Sequence, residues 1–158
     1  MNDSEKRFLE RAIELSRKGM QQDNGGPFGC AIVLDGEIVG EGYNMVTTSN
    51  DPTAHAEIVA IRQACKKLNT YQLEGCEVYT SCEPCPMCLG AIYWARPKRV
   101  IYANTRYEAA AIDFDDEYIY KEINTASLQR QIPFIHEPHP LALKVFEDWK
   151  TKENKKKY

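Results

Sequence analysis

The sequence predicts an α/β fold, a three-layer α/β/α sandwich on a mixed sheet of about five strands. Three observations carry that expectation. Segments rich in β-branched residues alternate with segments whose apolar residues step by three and four, so strands alternate with helices. An Asp35-Gly36 pair separates two strand-like runs, which makes an antiparallel hairpin and hence a mixed rather than purely parallel sheet. The 158 residues, 43% hydrophobic and 27% charged, have the length and composition of one globular domain.

The elements follow in order. Phe8, Leu9, Ala12, Ile13 and Leu15 have helical spacing, and this first helix runs out near Gly19. Gly25-Gly26-Pro27 leads into a strand over residues 28–34, and residues 37–43 return from the Asp-Gly turn. After a polar loop, Ala54, Ile58, Ile61, Cys65 and Leu68 form the stripe of an amphipathic helix, with Asp51, Pro52 and Thr53 as start signals. Cys65 lies on that stripe and reads as core. A strand is expected at 76–81, a helix opened by Pro86, and a strand at 99–103. Residues 104–125 read as a loop with a short helix around 117–123, and 132–135 as a further short strand. Leu141, Val145, Phe146 and Trp149 give the last helix one apolar face. No repeat or Pro/Gly-rich linker divides the chain, so residues 1–158 are expected to form a single domain.

Composition excludes several classes. No apolar run approaches the roughly 18 residues of a membrane span, and residues 1–8 are polar rather than signal-like. A cytoplasmic protein with reduced thiols is the expectation, although six cysteines are present. The net charge of −3 is unevenly spread: residues 150–158 hold five lysines and one Glu, while the other 149 hold 15 basic and 22 acidic side chains. An acidic body argues against a surface that clamps a nucleic-acid backbone. The basic tail reads either as a solvated terminus or as a segment that docks on an acidic surface.

Two short motifs carry chemistry: His55-Ala56-Glu57 and Pro84-Cys85-Pro86-Met87-Cys88. One His and two Cys make a tetrahedral zinc site with a fourth position left open, the mark of catalytic rather than structural zinc. Cys82 also stands three residues before Cys85, but it falls on the strand side of the turn. Pro86 suits the first position of a helix, so Cys85 is placed at the cap and Cys88 one turn on, where the helix dipole favours thiolates. His55 and Glu57, two residues apart, reach one point only where a helix begins. Two helix N-termini are therefore expected to converge on one metal at the C-terminal edge of the sheet. Glu57 reads either as first-turn electrostatics or as a proton shuttle beside the metal; the whole constellation favours the shuttle. His136 and His139 have no ligand spacing and read as surface residues.

Both halves of the H-x-E…P-C-x-x-C signature of zinc nucleobase deaminases are present and in order. Over roughly residues 5–150 the chain resembles the cytidine-deaminase-like superfamily. Gly25-Gly-Pro-Phe-Gly29, residues 47–57, residues 80–90, Phe114-Asp-Asp116 and the ending Lys156-Lys157-Tyr158 are similar to the bacterial guanine deaminases within it. The resemblance implies hydrolytic deamination of guanine to xanthine and ammonia, with one zinc per subunit held by His55, Cys85 and Cys88. It implies Glu57 as proton shuttle, Asp116 as the acidic partner of the base, and Asn44 and Ala56 in purine binding. A bound purine could stack on Phe28 or Trp94, although from the sequence alone either aromatic reads first as core. It further implies a homodimer in which residues 137–158 are exchanged and Tyr158 caps the neighbour's pocket, with the basic run 155–157 as a docking strap. Three other readings stand beside this one: a guanosine or triazine deaminase, a tRNA adenosine deaminase, and a zinc-dependent binding module without catalysis.

Overall fold

The computed structural model describes residues 1–114 and 116–158. The chain divides into two compact units, Met1–Asp116 and Glu117–Tyr158.

The first unit opens with α1 (Asp3–Gln21), started by a capping box in which the Asn2 side chain accepts the Glu5 N–H at 2.9 Å and Glu5 accepts the Asn2 N–H at 2.7 Å. The hairpin β1 (Gly29–Leu34) and β2 (Glu37–Tyr43) turns through Asp35 and Gly36, both at positive φ, as the twist of a two-residue turn demands. A four-residue helix α2 (Val46–Ser49) precedes α3 (Ala56–Leu68), β3 (Glu77–Cys82), α4 (Pro86–Ala95), β4 (Arg99–Asn104) and the short α5 (Arg106–Ala110). The sheet order is β2-β1-β3-β4: β1 is antiparallel to both neighbours and β3 is parallel to β4. The C-terminal ends of β2, β3 and β4 and the start of β1 therefore share one edge.

The layers follow from alternation along the strands. Val33 and Tyr79 face α1, where Ala12, Phe8 and Leu9 pack on them. Cys30, Ile32 and Val78 face the other way, into a core shared with Ala56, Ala60 and Ala64 of α3 and Ala95 of α4. Small residues make that packing close. A Cβ on Gly40 or Gly42 of β2 would stand 2.5 or 2.4 Å from the carbonyl oxygens of Ala60 and Ala56, so α3 lies directly on the backbone of β2.

The second unit holds α6 (Glu117–Ile123), a 3-10 turn at Ser127–Gln129 and α7 (Pro140–Thr151). Leu141, Val145, Phe146 and Trp149 do share α7, and all are exposed. The sandwich is as expected, but the sheet has four strands rather than five among the described residues. Residues 132–135 form no strand: Pro133 offers no N–H to a ladder, and Ile132, Phe134 and Ile135 are exposed. All six cysteines are unbridged, and no described helix is long and apolar enough to cross a membrane.

Candidate active site

Each half of the site starts a helix at the shared sheet edge. Asp51 Oδ1 accepts the Thr53 N–H at 2.8 Å and its hydroxyl at 2.6 Å, and Thr53 O accepts the His55 N–H at 2.8 Å. That turn presents His55 as the N-cap of α3 in extended backbone geometry, with Ala56 and Glu57 in the first turn. Cys85 is the N-cap of α4, followed by Pro86 at the first helical position, and Cys88 lies one turn on.

The two helix ends meet. His55 Nδ1 lies 3.4 Å from Cys85 Sγ and 3.6 Å from Cys88 Sγ, and the three ligand atoms are within 4.8 Å of one another. Zinc–sulfur bonds of about 2.3 Å and zinc–nitrogen bonds of about 2.0 Å at tetrahedral angles set S···N edges near 3.5 Å, so the donor set and its spacing fit zinc. Hydrogen bonding within the cluster, from Cys88 and then His55, holds the Cys85 thiol below its ordinary value, the direction a thiolate ligand needs. His55 is raised in turn by Cys85. Cys82, on the strand side, donates to Thr105 O at 3.7 Å and is pushed up to about 11, first by burial and then by Glu57. It stays a thiol outside the ligand group.

Glu57 is 6% exposed. One carboxylate oxygen accepts from the Thr80 hydroxyl and the other from the Cys88 thiol, each at 3.4 Å. Burial, first among the causes, raises its pKa above the ordinary carboxylate value, which suits a group that must take up and release a proton.

A cavity of about 290 Å³ opens over these residues. His55, Glu57, Cys85, Asn44, Phe28 and Asp116 line it, so six of the residues singled out in the sequence come together. Asn44 is buried, and its Oδ1 accepts the Val46 N–H at 3.1 Å, which leaves the amide NH₂ as a donor for a ligand. Phe28 stands edge-on to Phe114, with ring centroids 4.9 Å apart. Ala56 is fully buried between His55 and Glu57. Trp94, on α4, is 63% exposed and does not line this cavity. Tyr158 belongs to the second unit and is exposed. Sequence reasoning gave no role to Phe114, Glu83, Thr47 or Ala109, which also line the cavity. Phe114 opens the Phe114-Asp-Asp116 motif, and its aromatic character is the available signal.

A carboxylate kept dry beside three metal ligands is what a zinc-dependent hydrolase needs, and the fold and this site define that class. The chain belongs to the family described as the cytidine and deoxycytidylate deaminase zinc-binding region, whose model matches residues 2–104. It is 57% identical over 151 residues to a guanine deaminase of Bacillus subtilis, covering 96% of this chain and 97% of that protein. The crystal structure of guanine deaminase from Bacillus subtilis superposes with a TM-score of 0.95 at 56% identity, covering 100% of this chain and 99% of that one. A tRNA-specific adenosine deaminase of Aquifex aeolicus is 43% identical over 96 residues, 61% of this chain and 63% of that protein.

Proposed function

We propose that the protein deaminates guanine hydrolytically to xanthine and ammonia. The observation that carries this reading is the convergence of His55, Cys85, Cys88 and Glu57 at a cavity whose walls include Asn44 and Asp116. Full-length similarity to a guanine deaminase supports the choice of base. The cavity, near the lower bound of roughly 300 Å³ for ligand pockets, has room for a purine base.

His55, Cys85 and Cys88 would hold one zinc ion, which when bound supplies Lewis acidity that brings the pKa of a water toward about 7. Asn44 and Asp116 hold the purine and Phe28 offers it a ring face, while Ala56, fully buried, backs the turn that carries His55 and Glu57. Glu57 takes a proton from the attacking water as that oxygen adds to C2 of guanine. It hands that proton to the ring nitrogen, takes the second from the hydroxyl now on C2 and passes it to the amine as the C–N bond breaks, so that one water is consumed and one ammonia leaves.

The same reading includes a cytoplasmic homodimer that serves purine breakdown, with residues 137–158 exchanged and Tyr158 closing the partner's cavity. The exposed apolar side chains of α7 support it, since they call for a covering surface, and the five lysines within residues 150–158 suit an acidic one. Deleting Tyr158 is expected to raise KM for guanine; unchanged kinetics with an unchanged dimer would count against the cap.

The reaction is tested by offering guanine, guanosine, cytosine, adenine, ammeline and an adenosine-bearing RNA hairpin to zinc-loaded protein and measuring ammonia. Guanine should be turned over preferentially. Preference for the RNA or for guanosine would overturn the assignment.

A further inference from the structure

The cavity wall made by Ala109, Phe114 and Asp116 belongs to no strand. It hangs from α5, a helix of five residues, and its start is tied to the end of β3. The Glu83 N–H donates to Asn104 O at 2.8 Å, and Glu83 Oε2 accepts the Arg106 N–H at 3.0 Å. The Thr105 N–H and hydroxyl are engaged by Glu108 at 2.8 and 3.0 Å, which closes the first turn. Beyond α5 the Phe114 N–H returns to Ala109 O at 3.1 Å, with Phe114 beside Phe28, and Asp116 lines the same cavity. Glu83 is thus the charged side chain that joins the metal-binding segment to the start of this wall, and the mechanism above gives it no part.

We propose that Glu83 is a positioning residue for the nucleobase. By holding the Arg106 N–H it sets where α5, and through it Phe114 and Asp116, stand relative to His55 and Glu57. The bond is charge-assisted and half-buried, so it is among the stronger ties available to so short a helix. The inference rests on the purine-deaminase reading. His55 and Glu57 are carried by α3 and the two thiolates by α4, so a loosened wall acts on binding more than on the chemical step.

E83A in zinc-loaded protein is expected to raise KM for guanine roughly tenfold. Its kcat should stay within about twofold, a split that marks lost binding. Zinc content should be unchanged, and exchange of the Arg106 amide hydrogen should be faster. E83Q, whose side-chain oxygen still accepts, should recover most of both effects. R106P removes the donor instead, at a first helical position where proline is tolerated and behind a Thr105 already in extended geometry. It should reproduce the KM rise, and E83A with R106P should add little to either alone. Should E83A fail to fold, R106P and E83Q carry the test. Amide exchange is read on the free protein, so it tests the tie whatever the substrate; wild-type protein inert toward guanine counts against the reaction and not the tie. Unchanged KM in E83A and R106P overturns the proposal, even if exchange quickens, and so does a loss of zinc or an equal loss in kcat.

Discussion

Replacing Gly42 by Ala probes how closely α3 must sit on the sheet for the site to exist. The added Cβ would stand 2.4 Å from Ala56 O, 2.8 Å from Ala60 N and 2.9 Å from Val59 Cβ. Ordinary contact begins near 3.4 Å, and two of the three obstacles are backbone, so no rotamer change relieves the clash. The N-terminal turn of α3 must retreat by about 1 Å, a misplacement that can lower turnover by about 100-fold when it moves reacting groups. Overpacking of this kind costs about 2–3 kcal/mol, which for a chain of this length is a fall of roughly 4–12 °C in Tm. Gly90 supplies the control: a Cβ there meets nothing within 4 Å and the residue lies within α4. G90A should gain about 0.5–1 kcal/mol from helix propensity and lower chain entropy. Thermal unfolding and steady-state ammonia release on the zinc-loaded pair provide the measurement. A G42A protein as stable and as active as G90A would refute the idea that helix-to-sheet contact places His55 and Glu57.

Three further outcomes are expected. E57Q should retain zinc, because the ligand atoms are untouched, and lose about 10²–10⁴-fold in turnover; near-full ammonia release would remove Glu57 from the mechanism. Chelation should abolish activity and lower stability by about 2.7 kcal/mol relative to protein with zinc at 100 times its Kd, measured by unfolding with and without added metal. Arg99 holds the carboxyls of Glu5 and Glu77 below their ordinary value, chiefly by hydrogen bonding. Their folded pKa values are depressed, so the stabilisation is present above the unfolded value of about 4.5 and is lost as pH falls through the folded values. Urea unfolding of R99Q should therefore show a deficit at pH 7 that closes toward pH 3; a deficit constant with pH would point to packing instead.

Local chemistry made much of this molecule legible. Asp35-Gly36 announced its hairpin, and Asp51-Pro-Thr53 and Pro86 announced the starts of α3 and α4, because turns and caps are written in adjacent residues. Those two starts also yielded the ligand set. What stayed hidden depends on distant partners. Gly40 and Gly42 look like interruptions in a strand until α3 is seen lying on them. The wall of α5 and Phe114 is held by bonds across 23 residues of chain, from Glu83 to Arg106, which no periodicity reports. Residues 132–135 misled because β-branched side chains outweighed Pro133.

The turn around Asp51 and Thr53 has a consequence for the chemistry of the ion itself. The backbone of His55 is posed by hydrogen bonds inside its own loop, with Arg62 of α3 braced on Asp51 at 3.5 Å, so the place from which the imidazole reaches the two sulfurs is set locally. A site of one nitrogen and two sulfurs selects by ligand type and coordination geometry, and a cobalt(II) ion that accepts the same tetrahedral arrangement can take the place of zinc. Zinc is colourless and tetrahedral cobalt is not. The loop that fixes one histidine therefore also offers an optical window, through which each event at the metal could be followed by its change in colour.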